Sequence, residues 1–263
     1  MATNPPLALR SGNPALSAET FRNPSFSAAA RAAGAMTVQG TVNKTGLSLL
    51  ILLATATWTW NLASGGPMAT EYNPAAAAPW TMVGVIGGFI VAIVTTFKKE
   101  WAPVTAPAYA ALEGLALGGI SVAFESRYPG IASQAVFLTF GTLGALLMAY
   151  RSGLIKATEN MKLGIVAATG GIALIYLASF VMSFFGASIP LIHSSGTFGI
   201  LFSLAVVTVA ALNLVLDFDF IEQGAENGAP KYMEWYAAFG LMVTLVWLYL
   251  EILRLLSKLQ ERR

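Results

Sequence analysis

Residues 198–223 read FGILFSLAVVTVAALNLVLDFDFIEQ, an apolar run that ends in two aspartates, Asp217 and Asp219. About 20 mostly apolar residues suffice for a helix to cross a bilayer, so this stretch predicts a membrane-spanning helix. A second acid, Glu251 in the segment YLEILRLL, lies inside the next apolar run. A charge at membrane depth costs at least about 2.5–3.5 kcal/mol and usually faces a partner or water. The fold therefore has to shield these carboxylates from lipid.

The composition is that of a membrane protein. Hydrophobic residues make up 56% and charged residues 11% of the chain, whereas soluble domains carry about 25% charged residues. The chain has no cysteine, which excludes disulfides, thiolate catalysis and cysteine-ligated metals. The single histidine, His193, argues against a histidine-built metal centre. We expect a lipid bilayer as the main partner and no nucleic acid.

Seven apolar segments predict an all-α polytopic membrane protein, a seven-transmembrane-helix bundle. We expect this membrane domain to cover residues 45–257, followed by a short basic tail at residues 258–263. Residues 1–44 are polar and lack the apolar core of a signal peptide, so we expect a disordered cytoplasmic tail. The alternative for this tail is a docking segment anchored by Phe21 and Phe26. The predicted spans are residues 46–62, 80–97, 108–124, 131–150, 163–185, 198–216 and 236–256.

The positions of lysine and arginine predict the orientation in the membrane. The N-terminal tail and the loops after the second, fourth and sixth spans carry ten of them, whereas the three opposite loops carry only Arg127. We therefore expect a cytoplasmic N-terminus. The basic C-terminal end conflicts with this rule, because it lies outside if all seven segments cross. A re-entrant last helix is the alternative, but the segment is long and apolar enough to span.

The sequence contains no recognisable catalytic constellation. It has no GxSxG, HExxH or Walker motif and no Cys–His pair, the patterns that position nucleophiles, zinc or phosphates. Asp217 and Asp219 are two residues apart and point about 200° apart around one helix. They therefore cannot form the facing pair of an intramembrane aspartyl protease. We expect neither an enzyme nor a cofactor.

The intramembrane carboxylates are the candidate functional groups. Asn213 and Asp217 are four residues apart and share a helix face, so Asp217 can face the bundle while Asp219 faces water or an adjoining helix. Either aspartate could face Glu251. Two close carboxylates in a poorly hydrated site share a proton or a cation, and Ca²⁺ prefers oxygen ligands. We therefore expect a proton-sensitive latch, or a Ca²⁺ site, at Asp217 and Glu251, and assign no other metal site.

These acids also have plainer interpretations. The two aspartates are interfacial if the sixth span ends early. Glu251 could form a structural ion pair with Arg254, three residues further along the helix. We expect solvated loop positions for three other acids, Glu222, Glu226 and Glu234.

The third span carries an acid and a small-residue motif. Glu113 is either an acid on a pore or ion path, or a residue that caps or snorkels after the chain breaks at Pro103 and Pro107. Gly114 and Gly118 form a GxxxG motif, which lets helix backbones approach closely. The motif predicts a compact bundle rather than a particular activity.

Two short motifs resemble those of the Bax inhibitor family. LVLDF at 214–218 is similar to the hydrophobic–Phe/Tyr–Asp–Thr motif that closes the family's sixth span, and LEI at 250–252 is similar to the Leu–Asp–Ile/Phe motif of its seventh. The resemblance puts the family aspartates at Asp217, with Asp219 as second choice, and at Glu251. LEGLALG at 112–118 resembles a glutamate-containing span of several members. This chain departs in three ways: glutamate replaces the second aspartate, Phe218 replaces threonine, and the linker is longer.

What the resemblance implies is a pH-sensitive leak channel for calcium or other cations in the inner membrane of a bacterium, gated by carboxylates of the last two spans. Asp217 and Glu251 would be the sensor, assisted by Asp219, with Glu113 on the ion path and Asn213 on the helix face of Asp217. The alternative function is a non-transporting membrane regulator that binds a membrane protease or another integral membrane protein. A leak needs the paired acids and tolerates loss of the N-terminal tail, and a docking regulator shows the reverse.

Overall fold

Seven long helices form the part of the chain that the structure, a computed structural model, describes: residues 34–65, 72–186 and 194–262. Most of the polar tail and His193 lie outside these ranges. Each helix is long and apolar enough to cross a membrane, and the described residues contain no strand, which confirms the all-α polytopic membrane fold. The helices are α1 (Val38–Ser64), α2 (Pro74–Phe97), α3 (Ala102–Glu125), α4 (Ile131–Arg151), α5 (Glu159–Phe184), α6 (Thr197–Glu226) and α7 (Met233–Glu261).

Several helices extend beyond the predicted spans. The α1 helix begins at Val38, inside the predicted tail, where the Thr37 hydroxyl caps it by accepting from the backbone N–H of Gly40 at 2.9 Å. The α3 helix includes both prolines that were expected to break it. Pro103 is tolerated because the first turn of a helix has no N–H bonds to lose, and Pro107 gives up a single backbone bond.

The last helix is the centre of the bundle. It packs against α1, α3, α4 and α6, and large side chains such as Tyr236, Phe239 and Met242 are almost completely buried in it. It is one continuous helix of 29 residues, about 43 Å long at 1.5 Å per residue. A re-entrant segment needs a break that α7 does not have. The basic segment predicted from residue 258 begins as helix, since α7 continues to Glu261.

The GxxxG motif of α3 brings two backbones into close contact. A Cβ atom at Gly114 would overlap the backbone carbonyl of Leu52, and one at Gly118 would overlap the carbonyl of Ala56. Glycine is therefore required where α3 crosses α1. The predicted role of this motif in close packing is what the structure shows.

The segment before α1 meets the loop between α6 and α7 on one side of the bundle, which we call the N-terminal side. The backbone N–H of Met36 donates to the carbonyl of Ala229 at 2.7 Å, and Ala35 forms an isolated bridge with Pro230. The segment before α1 is thus bonded to the loop between α6 and α7. Successive helices alternate in direction, so the loops after α2, α4 and α6 share this side.

Candidate functional site: a polar seam between α5, α6 and α7

The α5 helix contacts the rest of the bundle largely through polar side chains. Of its 26 residues, all described, three are buried, and many large apolar side chains face outward. Its side chains that bond to α6 and α7 are Lys162, Thr169 and Tyr176. Residues seven apart lie on one helix face, so these three form a single polar stripe. We call them, with their partners Asn213, Asp219, Glu251 and Arg254, the polar seam.

At the N-terminal side, the seam is an ion pair. Lys162 Nζ lies 2.7 Å from Asp219 Oδ2 and 3.4 Å from Glu159 Oε1. The lysine side chain is 5% exposed and the aspartate 20%. Gln223 also donates to Asp219 Oδ2, at 2.7 Å. Asp219 therefore faces an adjoining helix, one of its two expected environments, and its charge is matched by a buried amine.

The middle of the seam is held by an amide. Asn213 Nδ2 donates to Thr169 Oγ1 and to the carbonyl of Val209, both at 2.9 Å. Asn213 is 1% exposed and Asp217, one turn further along α6, is fully buried. Both residues therefore lie inside the bundle, and Asp217 lies between Asn213 and Asp219 along the helix.

On the opposite side, the seam ends in a second ion pair. The Tyr176 hydroxyl donates to Glu251, with 3.0 and 3.1 Å to its two oxygens. Arg254 Nη1 donates to Glu251 Oε1 at 2.9 Å and to the Tyr176 oxygen at 2.7 Å. The guanidinium also lies over the Tyr176 ring, 5.1 Å from its centroid. The plainer interpretation of Glu251, a pair with Arg254, is the arrangement observed.

Asp217 and Glu251 lie at different depths, which corrects the expected latch between them. Lys258 Nζ donates to the Gly199 carbonyl at 3.0 Å and to Ser203 Oγ at 2.8 Å. Lys258 on α7 therefore lies at the same depth in the membrane as residues 199–203 of the antiparallel helix α6. Glu251, seven residues earlier on α7, is then level with residues 206–210 of α6. Asp217 lies seven to eleven residues further, about 11–16 Å at 1.5 Å per residue. A direct pairing across that distance is impossible.

The same register shows which part of α7 faces the level of Asp217. It is the stretch 240–244, which reads GLMVT. Its one polar side chain is Thr244, which is 2% exposed. Sequence spacing alone could not have placed this threonine opposite the aspartate, because the depth of each residue depends on the loop between the two helices.

Solvent reaches the seam from the N-terminal side. A cavity of about 460 Å³ lies at the start of the α4–α5 connection, and Asp219 lines it. Tyr150 donates to Glu222 Oε2 at 2.5 Å on its wall. Glu222 is exposed, as expected. The remaining charged residues of the wall are Arg151 and Lys156.

Glu113 does not belong to the seam. It lies half-buried between α2 and α3, where a Cβ atom added to Gly88 would be 2.8 Å from its Oε2. The structure thus brings Asn213, Asp219 and Glu251 together with α5 but leaves Glu113 on another interface. The stripe of Lys162, Thr169 and Tyr176 was missed, although its seven-residue spacing within an apolar helix is readable from the sequence.

Glu234 was expected to be a solvated loop charge and is instead completely buried. It accepts from the backbone N–H and the hydroxyl of Thr37, both at 2.9 Å, and pairs with Lys231 at 2.8 Å and with Lys44. The reason is that α7 begins at Met233, so its first turn lies beneath the start of α1. This cluster, the Glu234 clasp, joins residues almost 200 positions apart.

The comparison with known proteins agrees with the fold and with the motifs of α6. The sequence model of a family described as Bax inhibitor 1 like matches residues 13–261. Among curated proteins, no sequence matches the chain. Since the family match includes all seven helices and the polar seam, the chain belongs to the Bax inhibitor 1 like family.

Proposed function

We propose that this protein is a proton-modulated leak for calcium or other cations, and that the route follows the polar seam. The observation that carries the proposal is the depth of the seam. From Lys162 to Tyr176 it covers 14 residues of α5, about 21 Å of a hydrocarbon core about 30 Å thick. Polar and charged groups at such depths mark ion and proton pathways.

The α5 helix is also the most weakly attached helix among the described residues. The α5 helix packs on α6 with few buried apolar side chains. Its attachment therefore depends on the Lys162–Asp219 ion pair, the Asn213–Thr169 bond and the bonds of Tyr176 to α7. Breaking a pair lets α5 separate from α6 and admits water to polar groups that are already lined up. Asp217, fully buried beside this interface, then provides carboxylate oxygens, the ligands that Ca²⁺ prefers.

Protonation is the natural trigger. In the closed form the Lys162 amine occupies the place beside Asp219 where a passing cation would bind. A proton on Asp219 removes its attraction to Lys162, and a proton on Glu251 weakens the bond that its carboxylate accepts from Tyr176 on α5. Lowering the pH therefore opens the seam and increases the leak.

Calcium flux into proteoliposomes tests the proposal. Flux should rise as the pH is lowered. Glu251→Gln should raise flux at neutral pH, because it mimics the protonated acid, and Asp217→Asn should lower it. Glu226→Gln is a matched control, since Glu226 is an exposed acid at the end of the same helix as Asp217. Flux no greater than that of empty vesicles at any pH would refute the leak and favour the regulator that binds a membrane partner.

For localisation we propose the bacterial inner membrane with the N-terminal side in the cytoplasm. The loops and helix ends on that side contain seven of the eleven described basic residues, whereas the described part of the opposite loops contains Arg127 alone and the other three lie near the C-terminal end of α7. This asymmetry supports the orientation through the preference of lysine and arginine for the cytoplasmic side.

A further inference from the structure

A second cavity lies away from the polar seam, and no residue of the seam lines its wall. It has a volume of about 460 Å³, within the range of small-molecule sites, and lies between α1 and α4 with α3 and α7 as its floor. The flanking helices α1 and α4 are not closely packed against each other. Leu117 and Leu245 on the floor and Leu52 on the α1 wall are buried, whereas Leu53 and Phe140 are exposed at the edge.

The hydroxyl groups of this cavity are already satisfied by the protein. Ser121 donates to the Leu117 carbonyl at 2.6 Å and shares a 2.7 Å bond with the Tyr249 hydroxyl. Thr139 donates to Ala135, and Thr57 to Leu53. Recognition of a polar ligand needs a few placed polar groups, and a stable internal water needs two to four partners. The interior therefore suits an apolar occupant.

The position and length of the cavity identify that occupant. Its wall on α1 runs from Leu49 to Asn61, about 18 Å along the helix axis. This is close to the thickness of one leaflet of the hydrocarbon core, about 15 Å. The cavity opens through the side of the bundle that faces lipid, and Trp60, Asn61 and Ser133 lie at its end near the membrane surface opposite the N-terminal side.

We infer that this groove binds one acyl chain of a phospholipid from the leaflet opposite the N-terminal side. The chain enters between α1 and α4, fills the apolar floor, and leaves its headgroup beside the rim. The bound lipid completes the wall of the bundle that no helix of the described residues covers. The inference is independent of the polar seam and of ion transport.

A photoreactive lipid tests the inference. Purified full-length protein is reconstituted into phosphatidylethanolamine vesicles that contain a phosphatidylcholine with a diazirine on one acyl chain. After illumination, mass spectrometry maps the crosslinked residues. We expect crosslinks concentrated on the groove wall, and native mass spectrometry should find one retained phospholipid per chain.

Substitutions that fill the groove provide the control. Val136→Trp lies on the α4 wall and Thr57→Trp on the α1 wall, so either should abolish the groove crosslinks and the retained lipid. Leu138→Trp is the matched control, because Leu138 faces outward from α4 and does not line the groove. It should change neither readout. Crosslinks spread evenly over outward-facing helices, or a lipid still retained when folded Val136→Trp and Thr57→Trp are measured, would overturn the inference.

Discussion

Replacing Asp219 by asparagine should open the seam at neutral pH. Removing one partner of a buried ion pair costs about 3–5 kcal/mol. The cost is smaller here because Asp219 is 20% exposed and Glu159 remains 3.4 Å from the Lys162 amine. We therefore take about 2 kcal/mol, a factor of about 30 in an equilibrium constant. Only the closed form bears this cost, since Lys162 is hydrated once the seam opens.

The assay is calcium influx into proteoliposomes at neutral pH, compared with the acid-induced flux of the wild type. Asp219→Asn should shift the open fraction about 30-fold toward open while that fraction is small. The double variant Lys162→Met with Asp219→Asn should restore the closed form, because replacing both members of a buried pair is often neutral or stabilising. Equal leakage from the single and double variants, or no change in the single variant, would refute the ion pair as the lock.

Three further predictions concern the fold. Glu234→Ala should lower the thermal unfolding midpoint in detergent, because hydrogen bonds to charged groups contribute about 1.5–3 kcal/mol, and an unchanged midpoint would contradict the clasp. Gly118→Val should destabilise by about 1–3 kcal/mol through overpacking, as judged by tryptophan fluorescence, whereas Gly141→Val, which has open space around its Cβ position, should not. In this cysteine-free chain, cysteines at Ser152 and Ser126 should be labelled from opposite sides, and labelling from one side would contradict the seven crossings.

Much of the fold could be predicted because lipid imposes a strong length requirement on apolar runs. The start of α1 was missed because Gln39, Asn43 and Lys44 make its first turns polar. These turns lie at the N-terminal side of the bundle, where polar groups are tolerated. The helical conformation of Pro103 was missed for a different reason, since proline ends a helix in its interior but starts one in its first turn.

The candidate site was predicted only in part. Asn213, Asp219 and Glu251 were identifiable because polar residues are rare within apolar spans. Their partners on α5 are ordinary residues that become significant only through their common face. The separation between Asp217 and Glu251 could not be predicted from the sequence, because it depends on the register of α6 against α7, which the bonds of Lys258 to α6 reveal.

The place of α7 in the chain has a consequence for biogenesis. Nascent chains emerge from the ribosome N-terminus first, so the helix that forms the centre of this bundle enters the membrane after the other six. Until then α1, α2 and α3 can pack on one another, but Thr37 and Lys44 lack Glu234, and α4 lacks its contact with α7. Assembly of the bundle therefore waits for α7, and a chain that stops before α7 lacks the helix on which α1, α3, α4 and α6 pack.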